Sequence, residues 1–197
     1  MSKKGENLSD TEIVERFNAG ERELFDILVE RYSGKAYQIA YGVLGGKEDA
    51  EEVAQDGFVR IYKALPSFRG DSEFSTWMYR IIVNLARNKY RWNKSRGAQK
   101  NISMQAPTSA DSSSPSLEMK LPDEAISPDA EAELNELQND VYRQMQELPE
   151  LYREALLLRN FEQLSYEEIA RILGCKLGTI KSRIARAREE LRKRLQV

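Results

Sequence analysis

The sequence has no histidine and only one cysteine, Cys175, among its 197 residues. Without histidine there is no Ser-His-Asp or Cys-His catalytic arrangement, no histidine general base and no histidine-ligated zinc. A single cysteine cannot form an intrachain disulfide. An enzyme built from this chain would therefore have to use carboxylates together with Mg²⁺ or Mn²⁺.

Long hydrophobic runs are also absent, since no stretch approaches the roughly 18 consecutive apolar residues of a membrane-spanning helix. Residues 1–5 lead into polar sequence and lack the apolar core of a signal peptide. We therefore expect a cytoplasmic protein with no membrane insertion. A hydrophobic content of 41% is enough for one or two small domains.

Charge is segregated along the chain, although the formal net charge is only -2. Residues 67–96 contain seven basic and two acidic residues, and residues 176–197 contain eight basic and two acidic residues. Residues 97–140, between them, contain two basic and nine acidic residues. One basic segment could simply be a solvated surface, but two indicate contact with a polyanion at two places.

Apolar residues recur at helical spacing on both sides of the acidic middle, which predicts an all-α fold. Capping boxes begin helices at Ser9 and Ser165, each followed by glutamate at the third position. Glycines are expected to interrupt the N-terminal helices at Gly20, Gly34 and Gly45, and Pro66 to end the next one.

The middle of the chain is predicted to be a flexible linker that joins two helical domains. Residues 97–133 contain four of the six prolines and show no persistent period, so they cannot bury enough apolar surface to offset the entropy of ordering. Residues 1–96 and 134–197 are the predicted domains. An extended linker of this length reaches about 120 Å.

The last two helices have the spacing of a helix-turn-helix, in which Ala170, Gly174 and Ile180 lie 4 and 6 residues apart. A small residue allows the helices to approach, glycine permits a left-handed turn, and Ile180 anchors the second helix. The face opposite the anchor is polar and basic, as expected for a helix in the DNA major groove. An ordinary helical hairpin is the alternative.

Aromatic and basic residues are interleaved around residues 67–91, a pattern that suits single-stranded nucleic acid. Phe74 lies on the apolar stripe of its helix and is expected in the core, whereas Tyr79 could serve either role. For Phe68 and Trp77 we favour a functional role. A loop with an exposed phenylalanine beside a basic helix could capture a flipped base.

The preceding helix carries acidic residues, and they allow three interpretations. The group comprises Glu48, Asp49, Glu51, Glu52 and Asp56. It could be a solvated face, a Mg²⁺ cluster formed by Glu48, Glu51 and Glu52, or a face that docks on another protein.

Two long blocks resemble the extracytoplasmic-function (group 4) sigma factors of bacteria, most closely the sigma-E type. Residues 47–91, KEDAEEVAQDGFVRIYKALPSFRGDSEFSTWMYRIIVNLARNKYR, are similar to conserved region 2 of that family. Residues 148–188, which include LSYEEIARILGCKLGTIKSRIARAR, are similar to region 4. The resemblance covers about the first 96 and the last 60 residues.

The resemblance implies a non-enzymatic transcription initiation factor, with no cofactor, metal or catalytic residue. Its expected partners are core RNA polymerase (the clamp helices and flap), double- and single-stranded promoter DNA, and an anti-sigma factor. The two promoter elements lie ~70 Å apart, within reach of the linker.

The resemblance also assigns residues to three surfaces. The polymerase-binding residues are Asp49, Glu52, Gln55 and Asp56. The residues that recognise and melt the -10 element are Phe68, Arg69, Trp77, Arg80, Asn84, Arg87, Asn88 and Arg91. The -35 element is contacted by Thr179, Lys181, Ser182, Arg183, Ala185 and Arg186. Ala185 departs from the sigma-E pattern, where an aromatic residue is expected.

Two alternative functions are also compatible with parts of this pattern. A helix-turn-helix repressor with an N-terminal sensing domain would bind palindromic DNA as a dimer without polymerase. An all-helical nucleotide pyrophosphohydrolase would use the Glu48, Glu51 and Glu52 cluster with Mg²⁺. Such an enzyme needs a second acidic helix opposite the first, and here the next helix is basic.

Overall fold

The computed structural model describes residues 8–100, 141, 143–161 and 163–195. No strand occurs among these residues, and the all-α prediction is confirmed. The helices in chain order are α1 (Asp10–Asn18), α2 (Phe25–Leu44), α3 (Lys47–Ala64), α4 (Phe74–Lys100), α5 (Glu150–Phe161), α6 (Tyr166–Leu173) and α7 (Leu177–Leu195). Two short 3-10 helices, Arg22–Leu24 and Leu65–Ser67, precede α2 and follow α3.

We call residues 8–100 the N-terminal module, and α5–α7 with residues 143–149 the C-terminal module. The predicted domain limits stay predictions, because their outer ends and most of the predicted linker lie outside the described residues. Helix α4 continues to Lys100, past residue 97 where the linker was expected to begin.

Both predicted capping boxes are present. Ser9 caps α1, and its amide donates to Glu12 Oε2 at 2.8 Å while its hydroxyl accepts from the Glu12 amide at 3.3 Å. Ser165 caps α6 through the same pair of bonds with Glu168, at 2.8 and 3.2 Å. The hydrogen bonds from Ser165 hold the pKa of the Glu168 carboxyl below its ordinary value.

Helix α2 runs without interruption through Gly34, so the expected break there is wrong. Gly34 lies on the exposed face, while Tyr32 and Ala36 on either side of it are buried. Their burial outweighs the roughly 1 kcal/mol by which glycine disfavours a helix interior. The helix ends at Gly45, as predicted, where φ is 74° and the amide donates to the Tyr41 carbonyl at 2.7 Å.

The core of the N-terminal module lies between α2, α3 and α4, which pack against one another. Helices α3 and α4 approach closely at Gly57, where an added Cβ would lie 2.2 Å from Ile82 Cδ1. Tyr79, whose role the sequence left open, is 1% exposed and belongs to this core.

The C-terminal module has the predicted helix-turn-helix. Helix α6 ends at Gly174 with φ 64° and ψ 40°, and α7 buries Ile180, Ile184 and Ala187. Helix α5 does not bury all of its large apolar residues, since Leu151 is 42% exposed. The charged residues Arg153 and Glu154 are buried instead.

The two modules are in contact, which the sequence analysis did not predict. Helix α5 packs against α2, and α6 packs against α4. The buried charges of α5 are explained by this contact, because they face the N-terminal module and not solvent.

Candidate nucleic-acid and polymerase interfaces

The loop between α3 and α4 forms an open cleft with the first turns of α4. Phe68 is half-buried, with its ring centroid 5.0 Å from that of Trp77 and 6.2 Å from that of Phe74. The cleft is lined by Ser67, Phe68, Arg69, Asp71, Ser72, Thr76, Trp77, Arg80 and Arg171. Of the predicted -10 residues, Phe68, Arg69, Trp77 and Arg80 therefore meet at one place.

Thr76 lies in the same cleft and was not singled out by the sequence analysis. It is 3% exposed, and its hydroxyl has no hydrogen-bond partner. A buried hydroxyl without a partner is unfavourable, which makes it a candidate for bonding a ligand. No sequence signal marks this residue, because a threonine between Phe74 and Met78 on a helix looks like an ordinary core position.

The remaining predicted -10 residues follow along α4 but do not share one environment. Asn84 and Asn88 are exposed. Arg87 instead turns toward α5, where its Nε donates to Glu154 Oε1 at 2.5 Å. Arg91 is exposed and lies 3.4 Å from Glu150 Oε1 through its Nη2.

The acidic face of α3 is partly neutralised by α4. Lys89 Nζ lies 2.6 Å from Glu52 Oε2 and 3.2 Å from Asp49 Oδ1, and Asn93 donates to Asp49 Oδ2 at 2.7 Å. The hydrogen bonds that Lys89 donates to these carboxylates, first of all the one to Glu52, raise the pKa of Lys89. Gln55 and Asp56 are exposed one turn further along the helix.

The magnesium interpretation of the α3 carboxylates finds no support. Across residues 8–100, where Glu48, Glu51 and Glu52 lie, and in the other described segments, no three candidate metal ligands group together.

The predicted -35 residues lie on α7, which follows Gly174 and the turn. Lys181, Ser182, Ala185 and Arg186 are exposed, and Thr179 and Arg183 are half-buried. The Ser182 hydroxyl donates to the Thr179 carbonyl at 2.9 Å. Arg186 Nη1 lies 3.4 Å from the Tyr152 hydroxyl of α5. The exposed residues form a polar, basic face at the start of the second helix of the helix-turn-helix.

Comparison with known proteins identifies both modules. The family "Sigma-70 region 2" matches residues 28–96, and "Sigma-70, region 4" matches residues 138–191. The RNA polymerase sigma-H factor of Pseudomonas aeruginosa is 39% identical over 191 residues, covering 95% of this chain and 94% of the relative. The chain belongs to the extracytoplasmic-function (ECF) sigma factors.

Other relatives agree with this assignment. The ECF RNA polymerase sigma-E factor of Escherichia coli K12 is 38% identical over 192 residues, covering 97% of this chain and 96% of the relative. The sigma factor RpoE of Bartonella quintana, solved with the anti-sigma factor NepR, has a TM-score of 0.62 at 25% identity, covering 88% of this chain and 97% of that one. CnrH, solved with the cytosolic domain of CnrY, shares the fold with a TM-score of 0.65 at 24% identity, covering 93% and 95%.

An ECF sigma factor directs promoter-specific transcription initiation, and this assignment replaces the repressor and pyrophosphohydrolase alternatives. Among the described residues, no helix has the length and apolar character needed to span a bilayer. The region 2 match includes the acidic face of α3 and every cleft residue except Arg171. The region 4 match includes Arg171 and the helix-turn-helix.

Proposed function

We propose that this sigma factor binds its partners through three separate surfaces. The acidic face of α3 docks on core RNA polymerase, the cleft between the α3–α4 loop and α4 opens the -10 element, and α7 contacts the -35 element. The observation that carries this proposal is the cleft, where aromatic side chains in mutual contact meet Arg69 and Arg80 around an unpaired buried hydroxyl.

Opening of the -10 element needs favourable contacts that only the unpaired strand can make. Stacking of a base on an aromatic ring is worth about 1–3 kcal/mol, and Phe68 and Trp77 offer such rings at the rim of the cleft. Arg69 and Arg80 supply positive charge for phosphates. The Thr76 hydroxyl can bond a base edge or a phosphate of the unpaired strand. Duplex DNA outside the cleft cannot reach this hydroxyl.

Recognition of the -35 element is assigned to the exposed face of α7. Arg186 can bond the O6 and N7 atoms of a guanine through two parallel bonds, and Ser182 can bond several base edges. Ala185 offers a methyl group for apolar contact with a thymine methyl. Lys181 and the half-buried residues Thr179 and Arg183 are assigned to the phosphates on either side.

Polymerase binding is assigned to Asp49, Glu52, Gln55 and Asp56, which contact the clamp helices of the polymerase. Region 4 contacts the flap of the polymerase. Lys89 pairs with Asp49 and Glu52, so Asp56 is the one assigned carboxylate that this lysine does not contact. The factor acts by stoichiometric binding in the cytoplasm, so no catalytic residue is assigned. An anti-sigma partner is also proposed, since the similar RpoE was solved with one.

The test of the -10 assignment is run-off transcription with core polymerase and thymine reactivity toward permanganate. Trp77→Ala should preserve polymerase binding but reduce promoter opening and transcript yield. Trp92→Ala is the matched control, because Trp92 is the other tryptophan of α4 and is 48% exposed outside the cleft. Equal permanganate reactivity of Trp77→Ala and the wild type would contradict the assignment.

The test of the docking assignment is a pull-down with core polymerase. Asp56→Arg should lower the affinity, because it reverses an exposed charge on the proposed docking face. Glu30→Arg, on the exposed side of α2, makes the same charge change elsewhere and should bind normally. If both variants bind like the wild type, the docking face has been placed wrongly.

A further inference from the structure

Arg186, the residue assigned to a guanine of the -35 element, is bonded by a side chain from another helix. Its Nη1 donates to the hydroxyl oxygen of Tyr152 at 3.4 Å, and Tyr152 lies on the first turn of α5. Arg186 is exposed, whereas Tyr152 is half-buried. The bond that Tyr152 accepts raises the pKa of the Arg186 guanidinium. An exposed arginine thus has one fixed contact before any DNA is bound.

Tyr152 is itself held in place by the packing of α5. Its amide donates to the Pro149 carbonyl at 2.9 Å, which fixes the start of the helix. Its ring packs against the hydrophobic core, and α5 is in contact with α7. On α7, Ala187, the residue after Arg186, is fully buried. The Tyr152 hydroxyl therefore has a set position beside the exposed face of α7.

The bond to Tyr152 leaves a complete edge of the guanidinium for DNA. A guanidinium carries five N–H donors in a planar fork. Tyr152 accepts from Nη1, so its bond does not use the edge formed by Nε and Nη2. That edge can make two parallel bonds to the O6 and N7 atoms of a guanine. Arg87 uses the same edge for the two carboxylate oxygens of Glu154.

The contact orients Arg186 without neutralising its charge. A hydroxyl oxygen accepts a hydrogen bond but carries no formal charge. Glu189, one turn further along α7, is at a spacing from which it could pair with Arg186. Its Oε1, however, already lies 3.0 Å from Lys193 Nζ. Arg186 is therefore bonded to a neutral group and keeps its positive charge for DNA.

Orientation in the free protein favours base recognition, because a long side chain loses rotamer freedom when it binds. Ordering one such side chain at an interface weakens binding by a factor of about two to ten. A side chain that is already restrained loses less. The neighbour of Arg186 on α7, Ala185, carries only a methyl group and offers little restraint. The restraint comes instead from Tyr152 on α5.

We propose that Tyr152 is a positioning residue for the -35 element, which holds the Arg186 guanidinium ready for a guanine. Tyr152 acts through Arg186 and makes no base contact of its own. This role rests on the proposed function, in which Arg186 reads the -35 element. It adds α5, a helix outside the helix-turn-helix, to the elements that determine base selection.

The first test measures base preference with the full chain bound to core polymerase. The probe is a pool of short duplexes of random sequence, and the bound fraction is sequenced. Wild type should enrich a guanine at one position that Arg186→Ala no longer selects. Tyr152→Phe keeps the ring and removes only the hydroxyl. It should lower the preference at that same position by about two- to tenfold and leave the other positions unchanged.

A matched control removes a tyrosine hydroxyl elsewhere. The Tyr37 hydroxyl on α2 has no hydrogen-bond partner, so Tyr37→Phe makes the same chemical change without removing a bond. This variant should keep the wild-type base preference at every position. A loss of preference in Tyr37→Phe equal to that in Tyr152→Phe would contradict a specific role for Tyr152.

The second test is a double-mutant cycle on two duplexes, the one that wild type enriches most and the same duplex with the selected guanine pair replaced. Tyr152→Phe should weaken binding of the first duplex only, because the second offers no guanine to Arg186. In the Arg186→Ala background the same change should affect neither duplex. A purely structural role of Tyr152 would instead lower the midpoint of urea unfolding and weaken both duplexes alike.

Three results would overturn the proposal. Unchanged or tighter binding by Tyr152→Phe would mean that the bond does not prepare Arg186 for DNA. Equal loss on both duplexes would make Tyr152 a phosphate contact, and an effect that persists in Arg186→Ala would mean that Tyr152 acts on its own. Failure of the proposed function is distinguishable, because wild type would then show no guanine preference that Arg186→Ala removes.

Discussion

Substitution of Gly57 by alanine tests the close packing of α3 against α4. The added Cβ would lie 2.2 Å from Ile82 Cδ1, and Ile82 is fully buried. Overpacking of a core costs about 1–3 kcal/mol, whereas replacing glycine by alanine inside a helix gains about 1 kcal/mol. We therefore expect Gly57→Ala to destabilise the N-terminal module by about 1 kcal/mol.

A second substitution makes the mechanism specific. Ile82→Val removes the Cδ1 atom that the new methyl group would meet, and alone it should cost about 1 kcal/mol. In the double variant the methyl group at position 57 fills the space left by Cδ1. The double variant should therefore approach wild-type stability, with a coupling energy of about 2 kcal/mol between the two sites.

The assay is urea unfolding followed by tryptophan fluorescence, because Trp77 and Trp92 both lie on α4 and report on the N-terminal module. Gly34→Ala is the control: Gly34 is also inside a helix but has no atom within 4 Å of an added Cβ. It should gain about 1 kcal/mol. Two results would refute the reasoning. One is that the effects of Gly57→Ala and Ile82→Val on the free energy of unfolding are additive. The other is that Gly57→Ala raises this free energy as much as Gly34→Ala does.

Four further outcomes follow from the contacts described above. Thr76→Val should reduce permanganate reactivity at the -10 element without loss of stability in urea, because it removes an unpaired hydroxyl; normal reactivity would leave the hydroxyl without a role. Arg186→Ala should weaken binding to the cognate -35 duplex by about tenfold to a hundredfold, and equal loss on unrelated duplexes would make it a phosphate contact. Ser165→Ala should cost about 1 kcal/mol in urea unfolding of the C-terminal module, and an unchanged midpoint would contradict the role of the cap. Because the pKa of Glu168 is lowered in the folded state, its contribution is present above the ordinary carboxyl pKa of about 4.3. It is lost as the pH falls through the lowered value, so Glu168→Gln should flatten the acid limb of a stability profile measured by circular dichroism.

Features set by residues close together in sequence were predictable. The capping boxes at Ser9 and Ser165 and the left-handed ends at Gly45 and Gly174 follow from the conformational preferences of a few neighbouring residues. The family likewise followed from two long contiguous blocks. The break expected at Gly34 did not form, because burial on both sides of a glycine decides whether a helix continues, and burial depends on tertiary contacts.

The buried polar contacts of α5 could not be predicted in the same way. Arg87 and Glu154 are separated by a long acidic segment, and either residue alone looks like an exposed charge on a helix. Leu151 is exposed although it is a large apolar residue, since helical spacing fixes which residues share a face but not which face is covered. Arg153 and Glu154 gave no distinctive sign either, because Glu150 and Arg159 of the same helix are charged as well.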